Sequence, residues 1–166
     1  MIASEKELYH CFDSLGVVAR TIRHPPVFTV EDGVRHLKNV PGRQCKCLFL
    51  MDKERIPWLV TILGGSRIDL TILRNDIGST KLSFASPEMM SEILGVEPGS
   101  VSPFSLINNN STKVNVILEK RMMAEKLLKL HPLHNEATTI IAPKDLIKFI
   151  SEMGHKPLFL DIQRKA

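Results

Sequence analysis

Nothing in the chain approaches the ~20 consecutive apolar residues that a membrane-spanning helix needs, so no membrane partner is expected. There are only three cysteines, Cys11, Cys45 and Cys47, too few for the disulfide framework of a small secreted fold. A reducing, cytoplasmic setting follows. The start, Met1-Ile-Ala-Ser-Glu-Lys-Glu7, runs straight into an acidic amphipathic pattern, unlike a signal peptide. Charge of one sign is not concentrated anywhere. The net charge of +4 is made by scattered basic residues, so any contact with nucleic acid is expected to be local. The chain lacks G-x-x-x-x-G-K-[ST] and G-x-G-x-x-G, which removes the phosphate-cradling signals of nucleoside triphosphate and dinucleotide sites. It also lacks the G-x-S-x-G elbow of a serine hydrolase. With no repeat and no low-complexity linker, 166 residues at 43% hydrophobic and 24% charged read as one domain over residues 1–166.

What is present is an irregular alternation of short helices and strands. Ser4 with Glu7 forms a capping box for a helix to Leu15, which Gly16 stops. A strand is expected over Val17–Arg23, ended by His24-Pro25-Pro26, and a short helix over Val30–Leu37 capped by Thr29. Cys45–Met51 and Ile56–Leu63, joined by Asp52–Arg55, read as a hairpin. A short helix over Asp69–Asn75, a strand over Lys81–Ala85 and a helix from Ser86 to Gly95 follow. After a polar turn at Asn108–Thr112 come a strand over Val114–Leu118 and a methionine-rich helix over Lys120–Leu130. Thr138–Ile141 is a strand, Pro143–Met153 a helix, Pro157–Ile162 a closing strand and Gln163–Ala166 a frayed end. This order predicts an α/β protein of α+β type, with a mixed, curved sheet surrounded by short helices.

Three local features stand out. Lys46 is a charge inside the apolar strand Cys45–Leu50; on its own it reads as a solvent-facing lysine on an edge. Gly95–Phe104 holds glycines, prolines and serines, yet Val96, Val101 and Phe104 pin it down. Such a loop either connects helix to strand or offers bare backbone amides to a ligand. His131-Pro-Leu-His-Asn135 could cap the preceding helix or carry chemistry. A metal held by Cys45, Cys47, His131 and His134, or a Cys–His nucleophile pair, is conceivable. The two strand cysteines are read as pointing to opposite faces, which argues against their chelating one ion.

Together, in this order, the three features resemble the YbaK/prolyl-tRNA-synthetase-associated editing domain family, on the side of its freestanding alanyl-tRNA(Pro) deacylases. The likeness rests on Lys46-Cys-Leu-Phe-Leu50, on Gly99-Ser-Val-Ser-Pro103 with its G-x-x-x-P pattern, and on His131-Pro-Leu-His-Asn-Glu-Ala-Thr-Thr139. Gly154-His-Lys-Pro-Leu158 adds the last turn. Cys47, Ser105 and Asn109 depart from the asparagine, glycine and aspartate common in the family. The resemblance implies a YbaK-like fold and hydrolysis of the ester on the acceptor end of mischarged tRNA(Pro), alanine first, without a cofactor or metal. It implies Lys46 and His131 as catalytic residues. Gly99, Ser100, Val101, Ser102 and Pro103 would hold the terminal adenosine and the ester carbonyl, with Asn135 and Thr138 shaping the pocket floor. Prolyl-tRNA synthetase is a second partner it allows. The alternatives are a non-catalytic module that binds tRNA or a synthetase, and a deacylase for Cys- or Ser-charged tRNA.

Overall fold

The computed structural model describes residues 2–109 and 113–162. The polar turn read at Asn108–Thr112 lies partly outside these residues, and the frayed end read at Gln163–Ala166 lies wholly outside them.

Helix α1 (Glu5–Leu15) begins at the Ser4/Glu7 capping box and ends at Gly16, whose φ of 68° closes it in the left-handed region. Strand β1 (Ala19–Arg23) follows, then α2 (Val30–His36), capped by Thr29 Oγ1 accepting from the Asp32 amide at 3.1 Å. The hairpin forms as β2 (Arg43–Met51) and β3 (Pro57–Leu63), with Lys46 opposite Ile62. Helix α3 (Leu70–Ile77), the two-residue β4 (Ser83–Phe84) and α4 (Pro87–Met89), which continues as a π-helical turn over Met90–Leu94, complete the first half. The second half is a 3-10 turn over Pro103–Asn108, β5 (Asn115–Glu119), a second 3-10 turn over Lys120–Ala124, β6 (Leu128–Leu130), β7 (Ala137–Ile141), α5 (Pro143–Glu152) and β8 (Leu158–Leu160).

The helix expected over Lys120–Leu130 does not form. Met122 goes fully into the core from a short 3-10 turn, and Leu128-Lys129-Leu130 becomes a strand. The reason is tertiary: β6 lies between β7, with which it pairs antiparallel, and the start of β2, with which it pairs in parallel. Two ladders outweigh the modest helix propensity of the segment.

The strands make one mixed sheet in the order β1-β7-β6-β2-β3-β5-β8, with β4 added to β2. Its two faces are buried by different clusters. One carries Cys45, Phe49, Leu59, Leu118, Leu128 and Leu130 against α1 and α5, where Phe12, Phe104 and Phe149 meet edge to face at 5.2–5.7 Å. The other carries Leu48, Leu50, Val60, Ile62 and Ile117 against Leu73 of α3. Among the described residues, no helix is long and apolar enough to cross a membrane.

Candidate functional site

Strand β2 is the central piece, because its free edge is interrupted. β6 pairs it only at Arg43 and Gln44, and β4 only at Leu50 and Met51. Between these two pairings the edge faces a cavity of about 220 Å³. Lys46, Gly99, Val101 and His131 all line this cavity, along with Cys45, Cys47, Phe28, Gln44 and Lys129. Residues from three separate motifs therefore converge on one hollow.

Lys46 is exposed and, among the described residues, has no carboxylate partner; its charge is free for a ligand. His131 follows the end of β6. Its Nδ1–H donates to the Ala137 carbonyl at 3.1 Å, which fixes the tautomer and leaves Nε2 with its lone pair and, among the described residues, no partner. Burial, aided by His24 and His134, pulls its pKa below the usual 6.5 despite that hydrogen bond. Near neutrality the ring is an uncharged acceptor. No helix precedes His131, so the helix-capping role considered for it falls away.

The glycine loop is ordered by its own serines. Gly99 sits at φ 87°, in the left-handed region, and a Cβ there would lie 3.8 Å from Asn135 Nδ2 and 3.9 Å from the Phe28 ring. The Ser100 amide is already bonded to the Glu97 carbonyl (3.0 Å) and the Ser102 amide to Ser105 Oγ (3.2 Å). Pro103 has no amide hydrogen. Within Gly99–Pro103, the two residues that line the cavity, Gly99 and Val101, are also the two with amide hydrogens that take no partner among the described residues. Ser102, fully buried, donates from Oγ to the His131 carbonyl at 2.7 Å and so ties the glycine loop to the histidine.

Asn135 and Thr138 are not among the lining residues. Asn135 Nδ2 donates to the Val27 carbonyl at 3.1 Å while its own carbonyl accepts from the Val27 amide, so it fixes the segment that carries Phe28. Thr138 Oγ1 bonds His24 Nε2 at 2.8 Å, and the His24 ring lies 6.4 Å from that of His131. Both residues brace the site from behind.

Cys45 and Cys47 correct an expectation. Side chains alternate along a strand, so residues two apart share a face; both thiols lie on the core side of β2. Burial pushes the Cys47 thiol up to about 12 and the Cys45 thiol well above its usual range, so neither is a thiolate near neutrality. Among the described residues, no group of three or more His, Cys, Asp or Glu is arranged to hold a metal ion.

Four of the lining residues that sequence reasoning missed bear on the chemistry. Phe28 (74% exposed) and Phe84 (63% exposed) stand at the mouth. Gln44 and Lys129 are cross-strand partners at the inner end. Lys129, flanked by leucines, repeats the signal that marked Lys46, but the helix assignment hid it.

The chain belongs to the aminoacyl-tRNA editing domain family, whose model matches residues 24–149. It is therefore a deacylase by class, a hydrolase acting on the ester of aminoacyl-tRNA. It is 36% identical over 145 residues to the prolyl-tRNA editing protein ProX of Acetoanaerobium sticklandii, covering 86% of this chain and 88% of that one. It is 32% identical over 157 residues to the prolyl-tRNA synthetase associated domain-containing protein 1 of Danio rerio, covering 93% and 85%. A solved structure described as a candidate trans-editing enzyme for prolyl-tRNA synthetase superposes with a TM-score of 0.76 over 99% of this chain and 100% of that one, at 17% identity. At that identity the likeness bears on the fold alone.

Proposed function

We propose that this protein clears mischarged tRNA(Pro) in trans, with alanyl-tRNA(Pro) as its main substrate. One observation carries the reading: a free lysine, two unpaired loop amides and a neutral imidazole border one small cavity. An aminoacyl ester is already activated, so a held carbonyl and a positioned water suffice and no protein nucleophile is required. The Gly99 and Val101 amides receive the carbonyl oxygen as negative charge develops on it. Lys46 places a cation beside the terminal ribose and its phosphate. His131 Nε2 accepts a hydrogen bond from the attacking water or from the ribose hydroxyl that orients it. The raised thiol pKa values of Cys45 and Cys47 disfavour a thiol mechanism.

Selection follows from size. About 220 Å³ is below the ~300–1,000 Å³ typical of drug-sized ligand sites. It suits an alanyl-ribose, with the adenine outside against Phe28 and Phe84. A pocket excludes a larger group more sharply than a smaller one, so prolyl esters are spared. The relatives named for prolyl-tRNA editing support tRNA(Pro), and prolyl-tRNA synthetase, as partners. The test is a deacylation panel of Ala-, Ser-, Cys- and Pro-tRNA(Pro). Alanine should be released fastest and proline retained; binding of all four without turnover of any would leave an adaptor in place of an enzyme.

A further inference from the structure

Gln44 and Lys129 have a hollow on either side. A second, wider hollow of about 660 Å³ opens beneath α2, lined by Arg35, Lys38, Arg43 and the glycines Gly42, Gly64 and Gly65. Val30, Gln44 and Lys129 line both hollows and form the junction between them. The polar groups at that junction are poorly satisfied. Gln44 Oε1 is buried and takes no hydrogen bond. Lys129 is only 6% exposed, its ammonium donates to the Leu37 carbonyl at 3.1 Å, and no carboxylate among the described residues neutralises it. A desolvated cation without a counter-charge and an orphan buried acceptor are each costly. The outer hollow adds further cations: Arg35 and Arg43 are paired with Asp32 (2.7 Å) and Glu125 (3.7 Å), Lys38 has no carboxylate partner among the described residues, and Glu31 is the one carboxylate lining it.

We infer that this junction binds a ribose–phosphate unit of the RNA acceptor strand, and that the strand leaves the ester site through the basic hollow beneath α2. The inference rests on the deacylase reading and adds to it the route of the nucleic acid. A ribose–phosphate offers both things the junction lacks: an anion to meet the Lys129 ammonium and, once the Gln44 amide turns away from Gly33, a hydroxyl to donate to Gln44 Oε1. Gln44 and Lys129 stand side by side in register on β2 and β6, so one sugar–phosphate reaches both. Lys46 lies two residues along β2 from Gln44, on the same face, which orders the cations from the ester outward: Lys46, Lys129, then Arg43 and Lys38.

The test compares two substrates that share the ester and differ in phosphates: alanyl-tRNA(Pro) and 3′-O-alanyladenosine. Lys129→Met keeps the length and removes the charge. It should lower kcat/KM for the tRNA at least tenfold more than for the adenosine ester, mainly through KM. It should also flatten the log–log salt dependence by about 0.7, the value for one single-strand phosphate contact. Lys38→Glu, on an exposed wall where folding is not at stake, should shift the same ratio in the same direction. Equal losses on both substrates for Lys129→Met, or an unchanged ratio and salt slope in both variants, would overturn the inference while leaving the deacylase reading intact. Hydrolysis of neither ester by the wild type would remove both.

Discussion

Lys46 and Ser102 divide the work of the site between a group that meets the substrate and one that holds the meeting place. Lys46 is exposed and has no carboxylate partner among the described residues, so Lys46→Ala should leave the unfolding midpoint within experimental error and lower deacylation at least tenfold. Near wild-type turnover of alanyl-tRNA(Pro) would take the lysine out of the mechanism. Ser102 behaves oppositely. Its hydroxyl is fully buried, donates to the His131 carbonyl and accepts from the Phe104 amide. Ser102→Ala strands both partners and should cost about 1–3 kcal/mol in urea unfolding, with slower turnover because the loop and the histidine uncouple. An unaltered stability would mean the two motifs are held together by other contacts. At this scale the sequence was legible where a residue broke its surroundings, as the lysine of Cys45–Leu50 did. It was opaque for Gln44 and Phe28, whose importance comes from what the fold places beside them. The sequence also presented Asn135 and Thr138 as pocket residues, yet hydrogen bonds to Val27 and His24 turn them into braces.

Among the elements, those with strong ends were read best. The capping box of α1, the Thr29 cap of α2 and the Pro87 start of α4 each announce a helix through a local hydrogen bond or a fixed φ. β6 was misread because its identity is not local: Leu128–Leu130 is a strand only because β2 and β7 stand on either side. That error mattered, since it hid Lys129. Helix α2 forms one wall of the site. It has only seven residues, and Thr29, its cap, also lines the cavity. Thr29→Ala should remove about 1 kcal/mol of local stability. Amide hydrogen exchange should quicken across Val30–His36 while the β2 and β3 amides stay protected, and KM should rise as that wall of the cavity loosens. Unchanged exchange in α2 would show that Gly33, which lies flush against the Gln44 side chain, anchors the helix without its cap.

The whole molecule encloses its ionisable groups in a way that sets a stability window. His131 has a lowered pKa in the folded protein, so below pH 6.5 the unfolded chain takes up the proton more readily and stability falls as pH drops. Cys45, Cys47 and Tyr9 run the other way. Burial raises all three, the last two to about 12, above the ordinary values of 9.0 for the thiols and 10.0 for the phenol. Above pH 9.0 the unfolded chain therefore releases protons that the folded one retains, and stability declines as pH rises further. Lys129 opposes that decline in part: burial lowers its pKa below 10.5, so the folded state sheds this proton first and gains relative stability as pH climbs toward that value. With the Cys11 thiol, which burial also raises, four groups against one leave a net alkaline loss. Urea midpoints measured from pH 5 to 11 should form a plateau between about 6.5 and 9, with a shallow acid limb and a steeper alkaline one. Cys47→Ala should flatten the alkaline limb, because it removes one of the buried acids without touching Lys46 or His131. An alkaline limb as steep in that variant as in the wild type would mean that the thiol meets solvent through the gap in β2, and that the cavity wall is wetter than its burial indicates.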